Sequence, residues 1–582
     1  MADKIIVTNM TALKEKYGAA GLKKIQSAVK DLVAADKKRG LVTSLVALDD
    51  AAAMQKLKAN PVKDAASPRE NKQAIDGVYK ALAPDYLMIL GAIDVVPHQD
   101  LKNPVFSTAL NGDDERTADS DLPYACDAPY SRNVKDFIGP TRVVGRLPDL
   151  TGAKSPKYLL GLLKTAATWK SFPRSDYQSY LGITADKWRE STSESLNNIF
   201  NNDDDLQPSP TRGFKWTRDL IKRRIHFINC HGGDTMADFF GQSATDDEDM
   251  PVSHSAAFVG TKGKIAEGTV VAAECCFGAQ LYDPSAEDAG QMGMCNTYLD
   301  KRAYGFFGSS TTAYGPSSGN DMADLVCQYF IQRVLAGASL GRAALEARQR
   351  FIEKSSPWSP TNRKTLAQFN LFGDPATIPV DRPTAKLAFS PGGKNLVTGF
   401  KLLGAKSAVT ARATQETGAS ERAQRRELLR AKGAMLSELQ PAMSKSETGP
   451  SKQVASSLRK IMEQLNYKPG GAISYTVDTA PSPSAKTKGT FSSMAKGIDR
   501  AVAARKQGTT AFHIMFGVPA SVAAAAEGTP KAKSAKRMAK AASAKGPATR
   551  HDRKKSRLRR TVVLEAKEVD GKIVAVTEAH AK

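Results

Sequence analysis

The chain has 582 residues, 41% hydrophobic and 25% charged, the balance of a globular protein able to bury a sizeable core. No apolar run approaches the ~20 residues that cross a bilayer. The opening MADKIIVTNMTALKEKYG has no basic start followed by an apolar stretch, so a secretory signal is not expected and the cytoplasm is the expected location. Six cysteines, Cys126, Cys230, Cys275, Cys276, Cys295 and Cys327, are too few for a disulfide framework in this length and read as thiols.

The formal net charge is +23 and the sequence pI about 9.6. This favours acidic partners, nucleic acid or anionic surfaces and does not specify a fold. Between Thr529 and Arg560 thirteen Lys or Arg face a single acid, Asp552, so about half of the excess sits in one short stretch.

In chain order, KIIVTN reads as a strand, the segment through KKIQSAVKDLVAADKK as a helix ending at Gly40, LVTSLVAL as a strand and ENKQAIDGVYKALA as a helix. PDYLMILGAIDVVP is continuously apolar, as a strand buried on both faces should be. Strands alternating with helices indicate βαβ units and a mainly parallel sheet. TRVVGRLP adds a strand and KYLLGLLKTAATWK a helix. Further strands are expected at YLGITA, RIHFINC, GTVVAAECC and AYGFFGSS, then helices from Met322 to Ala336 and Leu340 to Phe351, closing at FNLFGDPATIPV. Beyond Arg382 the composition shifts. Residues 411–442 favour helix, while AISYTVDT, TAFHIMFGV and TVVLEAKEVDGKIVAVTEA read as strands, the last a hairpin about Asp570-Gly571. The Ala- and Lys-biased stretch between the second and third reads as disordered or partly helical. The expected organisation is an N-terminal α/β subdomain over 1–150, a catalytic subdomain over 151–382 and a smaller α+β region over 383–582 carrying the basic segment 529–560.

RRIHFINCHGGD puts His231 just past an apolar strand, followed by two glycines. Forty-five residues later GTVVAAECCFGAQ puts Cys275 and Cys276 just past another, with Gly278 beyond. If these strands are parallel neighbours, their C-terminal ends share the crevice where α/β sheets bind ligands. An imidazole beside a thiol lowers its pKa and carries a proton to the leaving amine. The N–H groups of Gly232 and Cys276 are candidate oxyanion donors.

Apolar strand–His–Gly followed by apolar strand–Glu–Cys–Cys–x–Gly resembles the caspase–legumain–gingipain clan. The wider chain resembles the gingipain-type branch, peptidase family C25. The resemblance rests on YLMILGAIDVVP, ADSDLPYACD…TRVVGRLP, the HGG and ECCFG segments, YGFFGSSTTAYG and FNLFGDPATIPV, which cover about residues 1–382 in the family's order. It implies a caspase-like, doubly wound, mainly parallel sheet. It also implies a cysteine endopeptidase with a thioester intermediate, Cys276 as nucleophile and His231 as its proton carrier, with no organic cofactor. Cys275 takes the place of a small residue, and Glu274 falls where the family carries a polar residue that helps hold the site. An acid after an earlier strand supports the histidine in this branch, which points to Asp186. Arg189 and Glu190 fall near the specificity position and imply opposite preferences for the P1 charge.

The blander readings stand beside these. A cysteine at a strand end is usually a small buried hydrophobe. His226, Cys230, His231, Cys275 and Cys276 include zinc-ligand types, but their spacing matches no common zinc pattern, and no metal is expected. Asp246-Asp247-Glu248-Asp249 is most simply an exposed loop, with calcium as the lesser reading. His98 and His254 receive no role. The segment 529–560 reads as a solvated linker, a weak nucleic-acid or anionic-partner contact, or a self-cleavage site. The expected partners are a protein or peptide substrate and a regulatory protein. The rival from another class is a catalytically silent scaffold or nucleic-acid-binding protein using the basic segment.

Overall fold

The computed structural model describes residues 2–381 apart from 109–111, 211–212, 214, 247–248, 262–263, 287–288 and 356–358. Beyond these it describes 419–437, 444–445, 456–457, 460, 474–479, 510–517, 561–569 and 572–582. The basic segment 529–560, the turn residues Asp570 and Gly571, and the middle of the acidic run (247–248) lie outside the described residues.

A ten-stranded sheet runs in the order Thr43–Ala47, Lys4–Thr8, Tyr86–Leu90, Val144–Leu147, Phe369–Phe372, Gly305–Ser309, Val270–Ala273, Ile225–Asn229, Tyr180–Ala185, Leu206–Ser209. Every pairing is parallel except that between Gly305–Ser309 and Phe369–Phe372. Two parallel half-sheets are thus fused at one antiparallel seam, and the subdomains expected over 1–150 and 151–382 share one continuous sheet. The seam strand belongs by direction to the N-terminal half, although it is last in sequence. A buried ion group reinforces this closure: Lys4 Nζ reaches Asp36 Oδ2 at 3.0 Å and also contacts Asp374, just beyond the seam.

Local chemistry sets the element ends. Asn9 caps the long helix Met10–Lys38 by accepting from the Ala12 N–H, and Gly40, at φ +78°, turns the chain after it. Ser67 caps Pro68–Leu82, with Pro68 in the first turn. Strand residues alternate between two cores, one on each sheet face. Val271, Ala273 and Cys275 face the core shared with Ile25, Leu163 and Tyr298. Val270, Ala272 and Cys276 face the one shared with Val326, Phe330 and Phe351.

The described parts of the C-terminal region pack against this body. Helix Ala419–Ser437 docks on the N-terminal half, with Arg426 Nη1 2.9 Å from Asp85 Oδ1 and Arg422 Nη2 3.1 Å from Asp3 Oδ1. An antiparallel sheet orders Tyr314–Gly315, Lys572–Ala581, Thr561–Val569, Thr510–Gly517, Ser474–Thr479 and Ser444–Lys445. Its first strand belongs to the loop that follows Gly305–Ser309, so the last strand of the chain is seated against the larger sheet's C-terminal rim.

Candidate active site

The strands ahead of His231 and Cys276 are direct parallel neighbours, Val270 opposite Ile225 through Ala273 opposite Ile228. The Glu274 N–H extends the ladder to the Ile228 carbonyl at 2.8 Å. The loops beyond them touch: a β-carbon on Gly232 would overlap the Cys276 carbonyl oxygen. Only glycine permits that approach.

Cys276 Sγ is held between main-chain groups of one residue, 3.3 Å from the Ala313 N–H and 3.5 Å from its carbonyl oxygen. Phe277, next in sequence, has φ +53°, a strained conformation for an aromatic residue of the kind that concentrates at functional sites. Cys275 turns the other way into the opposite core, and burial pushes its thiol pKa well up, which disfavours its thiolate.

His231 is anchored through both main-chain groups to Phe240, each bond 2.8 Å. The loop HGGDTMADFFGQ therefore folds back on itself and delivers Gln242, whose Oε1 lies 2.8 Å from His231 Nε2. An amide oxygen only accepts, so Nε2 carries the hydrogen of this bond. Trp188 packs on the imidazole at 4.4 Å between ring centroids.

Asp186, expected to support the histidine, makes no hydrogen bond to it among the described residues. Asp186 begins the 3-10 turn after Tyr180–Ala185 and lies 4.0 Å from Arg189. That turn instead supplies Trp188 as packing, and the Lys187 N–H fixes Gln242 through its carbonyl at 3.2 Å. Arg189, 63% exposed, and Glu190, also exposed, open the helix Arg189–Phe200. Two carboxyl groups, Glu274 and Asp324, are buried beside the Cys276 loop.

Those two carboxyls hold a lysine of this chain. Lys582 Nζ lies 2.6 Å from Asp324 Oδ2 and 3.1 Å from Glu274 Oε2, and 5.5 Å over the Trp188 ring. Asn229 steadies Asp324 by donating to its Oδ1 at 3.1 Å. Burial, then the neighbouring Asp324 charge, raises the Glu274 pKa well above the usual carboxylate value. Burial opposes the charge on Lys582, but Asp324 and Glu274 outweigh it and raise its pKa. A β-carbon on Gly315 would overlap the Lys582 Cε and Nζ and the Asp324 carboxylate, so only glycine there leaves room for the ion pair. The Lys582 main-chain oxygen accepts from the Cys276 N–H at 2.7 Å, and its own N–H donates to Ala313 at 3.1 Å. The Gly232 N–H makes no hydrogen bond among the described residues.

The remaining sequence candidates lie elsewhere. His226 sits in a buried chain in which the Trp216 indole donates to His254 Nδ1 at 3.0 Å. Tyr298 Oη lies 2.7 Å from His254 Nε2 and 2.6 Å from His226 Nδ1, and His226 Nε2 reaches the Arg223 carbonyl at 3.0 Å. Burial lowers both histidines to about 3, so they are neutral. His98 meets Asp121, which also takes a bidentate Arg146 at 2.6 and 2.8 Å. Among the described residues no group of three or more His, Cys, Asp or Glu is placed to hold a metal ion, and no helix is long and apolar enough to cross a membrane.

The parallel strands thus bring a thiol and an imidazole onto touching loops at the C-terminal rim of a mainly parallel sheet. The model of peptidase family C25 matches residues 2–379, and the chain belongs to that family. It is a cysteine-type peptidase with the caspase-like α/β fold. A search of the curated proteins returns no match. One solved structure, described as "Structure of Protease", is 14% identical at a TM-score of 0.41, covering 65% of this chain and 78% of that one. Such a distant likeness carries no argument.

Proposed function

We propose that the chain is an endopeptidase that cleaves proteins after lysine, through Cys276 and His231. The observation that carries this reading is Lys582, whose ammonium lies between two buried carboxyls while its main-chain oxygen takes the Cys276 N–H. A P1 lysine seated the same way places its carbonyl carbon beside Cys276 Sγ. His231 Nδ1 takes the thiol proton, and the thiolate attacks that carbon. The Cys276 N–H, joined by that of Gly232, receives the developing oxyanion, a type of contact worth roughly 2.7–4 kcal/mol per donor. As the C–N bond breaks, His231 passes the proton to the leaving amine and a thioester remains. Water, deprotonated by the same imidazole, attacks the thioester, releasing the acid and restoring the thiol.

Gln242 and Trp188 position the imidazole, and Glu274 and Asp324 select the cation. Fluorogenic peptides differing only at P1 test the reading. Lysine is expected to exceed aspartate by at least about 10³-fold in kcat/KM, on the scale of a desolvated charge left unpaired. Cys276→Ala is expected to abolish turnover, by roughly 10⁶-fold as when other nucleophiles are removed. Equal rates for lysine and aspartate would overturn the specificity, and an active Cys276→Ala protein would overturn the mechanism.

A further inference from the structure

The lysine that fills the cleft belongs to the chain's own last strand, and its seating has the geometry of a substrate. Lys572–Ala581 adds antiparallel to the cleft edge with Ala581 opposite Tyr314 and His580 opposite Gly315. The Lys582 N–H to Ala313 continues that ladder by one residue. Strand addition of this kind recognises an extended peptide through its main chain, with pockets for particular side chains. Here the pocket is filled to its end, and Cys276 beneath it is only 2% exposed. The cleft edge is fixed independently of the strand, because Tyr314 donates to Asp113 Oδ2 at 2.9 Å and Thr312 to Glu115 Oε1 at 2.9 Å. The occupant is fixed as well, since Lys572–Ala581 pairs along its length with Thr561–Val569.

We propose that the segment 572–582 is a tethered, non-covalent inhibitor of this peptidase, occupying the acyl side of the substrate cleft with Lys582 in the P1 position. This rests on the cleft assignment made above. No bond forms or breaks. The segment competes with substrate because both need the Cys276 N–H, the Ala313 carbonyl and the Glu274–Asp324 pair. Tethering presents it at a millimolar-scale effective concentration, so even a weak contact keeps the cleft filled. The attachment to the cleft is a two-residue ladder, one further main-chain bond at each end of Lys582, the ammonium, and the burial of Ala579 and Ala581 in the core that Cys276 faces. Separating these frees the nucleophile while the Thr561–Val569 pairing stays intact.

The test uses the full chain, Lys582→Ala, and a chain lacking Ala581 and Lys582. Each is assayed for cleavage of a P1-lysine peptide and for the alkylation rate of Cys276 by iodoacetamide, located by mass spectrometry. Both variants are expected to alkylate and, at sub-KM substrate, to turn over at least ten-fold faster than the full chain. The synthetic hexapeptide TEAHAK is expected to inhibit the shortened chain competitively and to have little effect on the full chain. Alkylation and turnover alike across all three proteins, with TEAHAK inert on the shortened chain, would overturn the inhibitor. Faster alkylation of the variants with no turnover by any of them would keep the seating of the segment over Cys276 and overturn the peptidase reading of the site on which the inhibitor rests.

Discussion

Cys275 and Cys276 are one position apart at a strand end, and the twofold alternation of strand side chains sends them to opposite cores. Cys275→Ala is therefore expected to leave kcat within about two-fold, at a stability cost of roughly 1 kcal/mol for a small buried group; a large loss of kcat at full stability would mean that the roles are exchanged. On the proposed mechanism Gln242 acts through the histidine, by keeping the hydrogen on Nε2. Gln242→Leu is expected to lower kcat by up to about 10²-fold, the lower end of what general acid–base catalysis contributes, with KM little changed. Gln242→Glu should retain more activity than Gln242→Leu and shift the pH profile, because a carboxylate also accepts from Nε2 and in addition favours the imidazolium. A merely structural role for Gln242 would move stability and leave that profile in place.

At the scale of elements, the loop after Gly305–Ser309 does the most, giving the thiol two main-chain neighbours at Ala313, the cleft edge at Tyr314–Gly315 and an open wall at Gly315. Gly315→Ala is expected to cut kcat/KM for P1 lysine by about 10²-fold or more, the loss typical of a displacement near 1 Å. Peptides with a short P1 side chain should lose much less, and equal losses for both would show that the wall is not part of the specificity pocket. The loop's anchor is a buried cluster in which Lys364 contacts Asp113 and reaches Glu115 at 3.1 Å. These residues lie far apart in sequence, and no local pattern announces them as one support.

For the whole molecule, the Trp216–His254–Tyr298–His226 chain links elements across the core beneath the His231 and Cys276 strands. Both imidazoles are held neutral, with pKa near 3 against about 6.5 for an unfolded histidine. Between those values the unfolded chain binds the additional protons. The stability these groups contribute is complete above about pH 6.5 and falls as pH drops towards 3, by up to about 1.4 kcal/mol per pH unit for each histidine. Tyr298→Phe removes the hydroxyl both rings share and is expected to cost roughly 1–3 kcal/mol for each ring nitrogen left without a partner. Denaturant midpoints at pH 7.5 and 5 would measure both effects, and a midpoint independent of pH across that range would remove the histidines from the explanation.

Apolar runs such as YLMIL and VVAA settle by themselves where strands lie, because a strand buried on both faces is nearly continuously apolar. That His231-Gly232 and Cys276-x-Gly278 sit past strand ends was legible for the same reason, since each follows such a run, and their two strands are parallel neighbours. The pieces that only tertiary structure decided are side chains brought in from other elements. Gln242 arrives because its loop folds back onto His231, Asp324 from the first turn of a helix on the far side of the nucleophile loop, and Lys582 from the end of the chain. Asp186 and Gln242 were equally open to selection from sequence, since which polar group meets an imidazole depends on how a loop closes. That closure is fixed by long-range contacts that no local spacing encodes.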